Sequence, residues 1–333
     1  MSSPNRYAPV SIPTLNRYKH FRDCLESLEK CNGAEYTEVY VGVDYPPSPK
    51  YIEGWEKINE YLDRKIENNN FLKLVVFKRE KNCGVCNPNS NSALLHKYLS
   101  ERYDRFISSE DDNVFAKTFL DYMNQGLEKY KNDPKCTAIC GYNYYGVHSD
   151  KYDKNVYLSH EYSAWGVGIW PKKQKYLMSL KTKEYLEDIM SSWKKVFTIF
   201  RYEPRLLNTL LLNIASGKIF GDTIRVSYQY LNDSYSLFPT ISKVRNQGFD
   251  NSGITIFKQD DNYNLQKIDS ATNFVMDEIP SEVDKEMQKE VEDFFKRKFI
   301  MNVVIFIRVC IYRIFKFDIC HREMKRRNSS LFK

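Results

Sequence analysis

The stretch Phe106-Ile-Ser-Ser-Glu-Asp-Asp-Asn113 decides how this chain is read. A short apolar run enters three adjacent carboxylates, Glu110, Asp111 and Asp112, then Asn113 and a fresh helical pattern. In an open α/β sheet, ligands bind in the crevice beyond the carboxyl ends of the strands. Adjacent acids repel one another unless a cation neutralises them, and hard oxygen donors suit Mg²⁺ or Mn²⁺. A divalent ion held there can carry a diphosphate. Taken alone, the triplet fits a solvated acidic turn equally well, so the surrounding chain has to choose.

Before the triplet, strands and helices alternate. Residues 7–12 read as a strand ended by Pro13, and Thr14 is placed to cap a helix over 18–31, where Phe21, Leu25 and Leu28 recur at helical spacing. Strands follow over 38–44, 71–78 and 106–109, with helices over 52–66 and 91–101 between them. This alternation predicts an α/β fold with a mostly parallel, doubly wound sheet flanked by helices. Thr14 to Arg17, Asp44 and the triplet then follow the first, second and fourth strands, where such a sheet binds nucleotides. Asp44 fits either an acceptor for a nucleobase imide or ribose hydroxyl, or a turn-former before Pro46. No GxGxxG follows the first strand and no GxxxxGK[ST] occurs, which argues against an NAD-type site and a P-loop.

After the triplet the pattern is less regular. Residues 115–130, 183–200 and 205–216 read as helices and 137–142 as a strand. Ala164-Trp-Gly-Val-Gly-Ile-Trp170 is an aromatic segment punctuated by glycine. Gly221-Asp-Thr-Ile-Arg225 opens a further segment, and 244–253 is a loop rich in Asn and Gly.

Charge divides the chain further. The net charge is +7, yet 294–333 alone carries 11 Lys and Arg against Asp318 and Glu323, so everything before it sums to −2. Residues 259–293 hold 11 acids and 3 bases. The expected organisation is therefore a domain over 1–258, with a nucleotide-binding half over 1–113 and an acceptor half over 114–258. An acidic connector over 259–293 and a basic tail over 294–333 follow. Basicity confined to one tail argues against a nucleic-acid partner and for a local anionic one. Eight scattered cysteines, with Cys83-Gly-Val-Cys86 the only CxxC, fit reduced thiols in a cytoplasm, and no apolar run suggests a cleaved leader.

In the tail, Ile300, Val303, Ile307, Ile311 and Ile314 follow helical spacing, with Lys298, Asn302, Arg313 and Lys316 on the other side. Arg308 and Arg313 interrupt the apolar run that a membrane-spanning helix needs. A basic amphipathic helix on an anionic membrane surface fits this pattern, as does a helix packed on the domain or on a second subunit. The expected location is cytoplasmic, peripheral on the inner face of the cell membrane.

Taken together, these segments resemble nucleotide-sugar glycosyltransferases of the GT-A fold. The similarity is closest to bacterial family 2-like sugar transferases and more distant to the N-acetylglucosaminyltransferases of complex N-glycan branching. It is carried by Pro9-Val-Ser-Ile-Pro-Thr-Leu-Asn-Arg17, Val41-Gly-Val-Asp44, Asn82-Cys-Gly84 with Asn87, Ser109-Glu-Asp-Asp-Asn113, and Ile139-Cys-Gly-Tyr-Asn143. Later come the 164–170 and 221–225 motifs and Asn246-Gln-Gly-Phe-Asp-Asn-Ser-Gly253.

The resemblance implies an inverting, metal-dependent transferase of the hexosyl or N-acetylhexosaminyl class. It would move sugar from a nucleoside-diphosphate donor, UDP-sugars favoured, to a glycan or lipid-linked acceptor in cell-surface polysaccharide biosynthesis. It implies that Thr14, Asn16, Arg17, Asp44, Asn82 and Gly84 hold the nucleotide. Asp112 would bind Mn²⁺ or Mg²⁺, with Glu110 and Asp111 beside the ribose or donor sugar. Trp165 and Gly166 would flank the transferring sugar. Asp222 would be the general base, Arg225 would steady the phosphates or Asp222, and Asn246 to Gly253, Gly248 included, would close over the diphosphate. Two departures stand out: Ile254-Thr-Ile-Phe257 replaces a histidine often found after the glycine loop, and no Trp separates Asp222 from Arg225. On its residues alone, Asp222 reads equally as a helix cap, and Trp165 and Trp170 as core aromatics.

Two alternatives share the sheet. A sugar nucleotidyltransferase would need a glycine- and lysine-rich loop that 11–17 does not supply. A non-catalytic, membrane-tethered binding module would bind donor without turning it over.

Overall fold

The computed structural model describes residues 7–85, 87–252 and 260–316. Its first half follows the expected alternation. Strand β1 (Val10–Thr14), helix α1 (Tyr18–Glu29), β2 (Glu38–Val43), α2 (Ile52–Glu67), β3 (Lys73–Lys78), α3 (Asn91–Ser100) and β4 (Phe106–Ser108) come in order. Two corrections are local. Helix α1 is preceded by Arg17 with no side-chain cap, because the Thr14 hydroxyl is spent on Asp111. The helix expected over 115–130 begins only at Phe119, after a short strand, β5 (Asn113–Phe115).

The second half mixes directions. It comprises α4 (Phe119–Lys129), β6 (Cys136–Cys140), β7 (Val156–Ser159), β8 (Val167–Ile169), α5 (Pro171–Ser179), α6 (Lys183–Ser191), α7 (Trp193–Tyr202), α8 (Pro204–Ser216), α9 (Gly221–Asn232), β9 (Tyr235–Pro239) and β10 (Val244–Asn246). The single helix expected over 183–200 is broken at Ser192, whose extended backbone lets its hydroxyl accept from the Lys195 amide and cap α7. Strand β7 carries no turn signal strong enough to mark it in sequence.

One sheet of eight strands in the order β3-β2-β1-β4-β8-β6-β9-β7 organises the molecule. Six strands run one way, and β8 and β7 run against them. The carboxyl ends of β1, β2, β4 and β6 therefore share one edge, and the start of antiparallel β8 joins them there. A second, two-stranded ribbon sets Asn246 of β10 opposite Asn113 of β5, which folds the glycine loop back over the acidic triplet.

The acidic stretch expected as a connector is laid along the domain instead. Helices α10 (Asp261–Asn264) and α11 (Lys285–Phe295) fall within it. Gln266 donates to the Asn143 carbonyl at 2.9 Å, Gln125 to Phe274 at 2.8 Å and Tyr130 to Pro280 at 2.6 Å. The last described element, α12 (Phe299–Phe315), buries Ile305, Val309 and Tyr312 in a separate apolar core built by α6 to α9. A helix thus stands where the amphipathic tail was expected, while residues 317–333 lie outside the described chain. No described helix is long and apolar enough to cross a membrane.

Candidate active site

The shared sheet edge gathers the acids. Asp111 and Asp112 follow β4, are both buried, and are held by the loop after β1. The Thr14 hydroxyl donates to Asp111 Oδ2 at 2.9 Å. Arg17 pairs with Asp111 and, at 2.8 Å, with Asp112 Oδ2. Burial disfavours the guanidinium's charge, but Asp111 and Asp112 outweigh it and hold Arg17 firmly protonated. From the opposite side Asn246 Nδ2 donates to Asp112 Oδ1 at 2.8 Å, and the Gly248 amide donates to Asn246 Oδ1 at 2.8 Å. A Cβ at Gly248 would stand 2.2 Å from Asp112 Oδ2, so this glycine is required by close approach to the acid. Thr14, Arg17, Asp111, Asp112, Asn246 and Gly248, far apart in sequence, form one contiguous site.

Asp44 is buried at the end of β2, where it organises a loop. It accepts from the Tyr45 amide at 2.9 Å, the Cys83 amide at 2.8 Å and Asn82 Nδ2 at 3.3 Å. The Gly84 amide donates to Asn82 Oδ1 at 3.1 Å, and Gly84 has φ +67°. Asp44, Asn82 and Gly84 therefore come together, with most of the carboxylate's lone pairs already committed to loop backbone. The Asn16 carbonyl sits against Gly54 of α2, where a Cβ would approach to 2.0 Å.

Beside the acids opens a cleft of about 360 Å³ whose lining includes Glu110, Glu161, Asp222 and Arg205 among aromatic rings. Glu110 and Asp222 both line this cleft with side chains open to solvent through it. The protein crowded around the cleft, then repulsion from Asp112, Asp111 and Asp222, pushes the Glu110 carboxyl up. The same crowding raises Asp222, with Arg225 and Lys181 pulling the other way. Asp222 sits in the first turn of α9, but Phe220 is the capping position and carries no side-chain cap. A cap role for Asp222 thus has no bond behind it.

Arg225 departs from expectation. It is 2% exposed, donates to the Thr137 carbonyl at 2.8 Å, pairs with Gln174 and packs its guanidinium 4.6 Å from the Tyr162 ring centre. Buried in α9's contact with β6 and α5, it reaches no phosphate site and bears on Asp222 only through its charge. Gly166 is also structural. It has φ +64°, its carbonyl accepts from Gly141 at 2.8 Å, and an added Cβ would meet Val244 at 2.8 Å. Trp165 does line the cleft, in edge contacts with Tyr142, Phe249 and Tyr263. Trp170 is core, donating to the Leu127 carbonyl at 3.2 Å.

Three cleft residues were missed in sequence. Glu161 is buried and accepts from Tyr230 at 3.0 Å, and burial with the neighbouring Glu203 pushes it up to about 8. Arg205 pairs with Glu203 at 2.9 Å and lies 3.9 Å from the Phe295 ring centre. Phe295 comes from the start of the expected tail, at the end of α11. The one local signal was Glu203-Pro-Arg205, a charged pair around a helix-starting proline.

Among the described residues no group of three or more His, Cys, Asp or Glu forms a ready metal cage. The donor chemistry nevertheless suits a hard cation. Asp111 and Asp112 share the single guanidinium of Arg17, and the neighbouring Glu110 carboxyl feels both of them and Asp222.

No family model and no curated protein matches the chain in sequence. Solved structures with partial likeness include a mannosyltransferase from Pyrobaculum calidifontis in complex with GDP-Man and Mn²⁺ (12% identity, 53% of this chain, 47% of that one, TM-score 0.34). Others are Staphylococcus aureus TarS 1–349 (15% identity, 52% and 48%, TM-score 0.35) and mouse xyloside xylosyltransferase 1 (8% identity, 55% and 74%, TM-score 0.35). The chain spans about half the length of the first two. Overlap at this level is partial, and no property of this chain follows from it.

Proposed function

We propose that the chain is a GT-A-type glycosyltransferase that moves a sugar from a nucleoside-diphosphate sugar to a hydroxyl of a glycan or lipid-linked acceptor, with inversion. One observation carries the reading: an acid pair clamped by the β1 loop stands directly after Glu110, which lines a cleft that also holds a separate carboxylate, Asp222. Thr14, Arg17, Asn246 and Gly248 frame the diphosphate position. Asp44 with the 82–84 loop frames the nucleoside, UDP favoured. Asp112, with Asp111, would hold Mn²⁺ or Mg²⁺, which would neutralise charge on the leaving diphosphate.

The acceptor lies in the cleft against Trp165 and the neighbouring rings, its hydroxyls meeting Glu161 and Arg205. Asp222 takes the proton from the attacking hydroxyl as its oxygen bonds to the anomeric carbon. The bond to the diphosphate oxygen breaks with its electron pair, inverting that carbon. Glu110 faces a hydroxyl of the donor sugar from the cleft wall. A raised carboxyl suits the base role, because proton transfer is most effective when the base's pKa approaches working pH. The basic tail 294–333 takes an anionic membrane surface as its partner, on the cytoplasmic side, which suits assembly of a cell-surface polysaccharide precursor.

The test is transfer from radiolabelled nucleotide sugars to lipid and glycan fractions by wild type and Asp222→Asn. Transfer lost in the variant, with donor affinity kept within a few fold, supports the reading. Transfer that survives places the base elsewhere. Donor binding without transfer in wild type favours the non-catalytic module.

A further inference from the structure

Helix α12 is apolar on two opposite faces, and only one of them is used. Ile305, Val309 and Tyr312 enter the core of α6 to α9. On the other side Ile300, Val303, Val304, Ile307 and Ile314 stand 68%, 38%, 44%, 49% and 72% exposed. At 1.5 Å per residue this row extends over about 20 Å. The helix's arginines turn inward: Arg308 pairs with Asn208 of α8, and Arg313 donates to the Met190 carbonyl with its guanidinium 4.0 Å from the Trp193 ring centre. Arg308 and Arg313 therefore face the protein, Lys298 and Lys316 stay exposed at the helix ends, and the apolar stripe faces out.

The stripe continues onto α7. Exposed Trp193 and Phe197 stack at 5.5 Å and meet Phe306 of α12 at 6.1 and 6.0 Å, forming an aromatic border to the aliphatic row. Bases lie along this surface: Lys194 on α7, Arg297 and Lys298 before α12, and Lys316 after it, while Lys296 beside them is paired with Asp293 at 2.9 Å. The chain beyond adds five more bases against two acids.

Resting on the membrane part of the proposed function, we infer that this α7–α12 face is the element that enters the bilayer. It would lie flat, with the aliphatic row in the acyl boundary, Trp193 and Phe197 at headgroup level and the lysines on anionic headgroups. Charge selects this occupant. Two copies meeting face to face would bring their basic borders together, whereas an anionic lipid surface neutralises them. Arg205, Leu206 and Thr209 of α8 line the cleft, while Asn208 of the same helix holds α12. The bilayer face thus lies on the far side of α12, two helix layers or about 20 Å from the cleft.

The test is flotation of the full chain with phosphatidylcholine vesicles, with and without phosphatidylglycerol. Three proteins are compared: wild type, the doubly substituted Val303→Glu/Ile307→Glu, and a tail variant Lys325→Gln/Arg326→Gln/Arg327→Gln. Both stripe positions are exposed, and nucleotide binding by each variant verifies folding and donor site separately. The expected result is binding that requires phosphatidylglycerol, falls about tenfold or more in the stripe variant and falls about fivefold per base in the tail variant. Loss in the tail variant alone would leave a membrane partner but overturn this face as its contact. No vesicle binding by wild type, or a wild-type dimer dissociated by Val303→Glu/Ile307→Glu, would overturn the inference and make the stripe a protein interface.

Discussion

The halves on either side of the acidic triplet hold their carboxylates by opposite means. In the first half, each acid is tied to a strand end by a neutralising or donating partner. Asp111 and Asp112 share Arg17, and Asp44 takes two backbone amides. In the second half, Glu161 and Asp222 project from helical and loop structure into a cleft, and Asp222 is left to the neighbouring charges of Arg225 and Lys181. A site that recognises a fixed, highly charged group is built from committed acids. A site that moves a proton needs an uncommitted one.

Substitutions in the two halves should therefore fail differently. The largest effect belongs to Asp222→Asn, expected to lower transfer by about 10² to 10⁴ with donor affinity nearly unchanged. A comparable loss of donor affinity would erase the distinction between the halves. Next comes Gly248→Ala. Its new Cβ must displace the buried Asp112 carboxylate, so donor affinity should fall by about tenfold, accompanied by some loss of stability because Gly248 is itself buried. Unaltered affinity would show that Asp112 is not held against Gly248 as described.

Gly166→Ala should act on stability alone. Its positive φ and the tight contact with Val244 predict a loss of about 1–3 kcal/mol of stability, read by denaturant unfolding, with nucleotide affinity retained. Nucleotide affinity falling with stability unchanged would return Gly166 to the sugar site.

The smallest effect separates charge from packing. Glu161 titrates at about 8 in the fold against 4.5 in the unfolded chain, so the folded state binds its proton more tightly. Stability from this group is complete below pH 4.5 and is lost as pH rises through 8. Glu161→Gln should flatten that decline and raise stability at pH 8 by on the order of 1 kcal/mol. A decline of equal slope in the variant would assign it to another group.

How legible each half was follows from the same contrast. The βα repeats, the absence of dinucleotide and P-loop signatures, and the acids after β4 could be read directly, because period-2 and helical patterns alternate cleanly up to residue 109. Thr14 was read as a helix cap because only the fold brings Asp111 within 2.9 Å of it. Beyond the triplet, local pattern loses force. Strand β7 is short and buried, β5 and β10 are three residues each, and Ser192 splits a continuous helical pattern by capping. The acidic stretch looked like a linker because its charges face solvent while Phe274, Met276, Met287 and Val291 pack inward. The stripe on α12 was legible, but not that its arginines serve the protein side.

The central claim is that the acid pair and the β1 loop form a metal-assisted nucleotide site. Calorimetric titration of UDP, GDP, CDP and TDP into wild type and Asp112→Ala, with and without Mn²⁺, tests it most directly. The account predicts Mn²⁺-dependent binding of one nucleotide, UDP favoured, abolished in Asp112→Ala. Binding of none, or binding indifferent to both Mn²⁺ and the substitution, would contradict it.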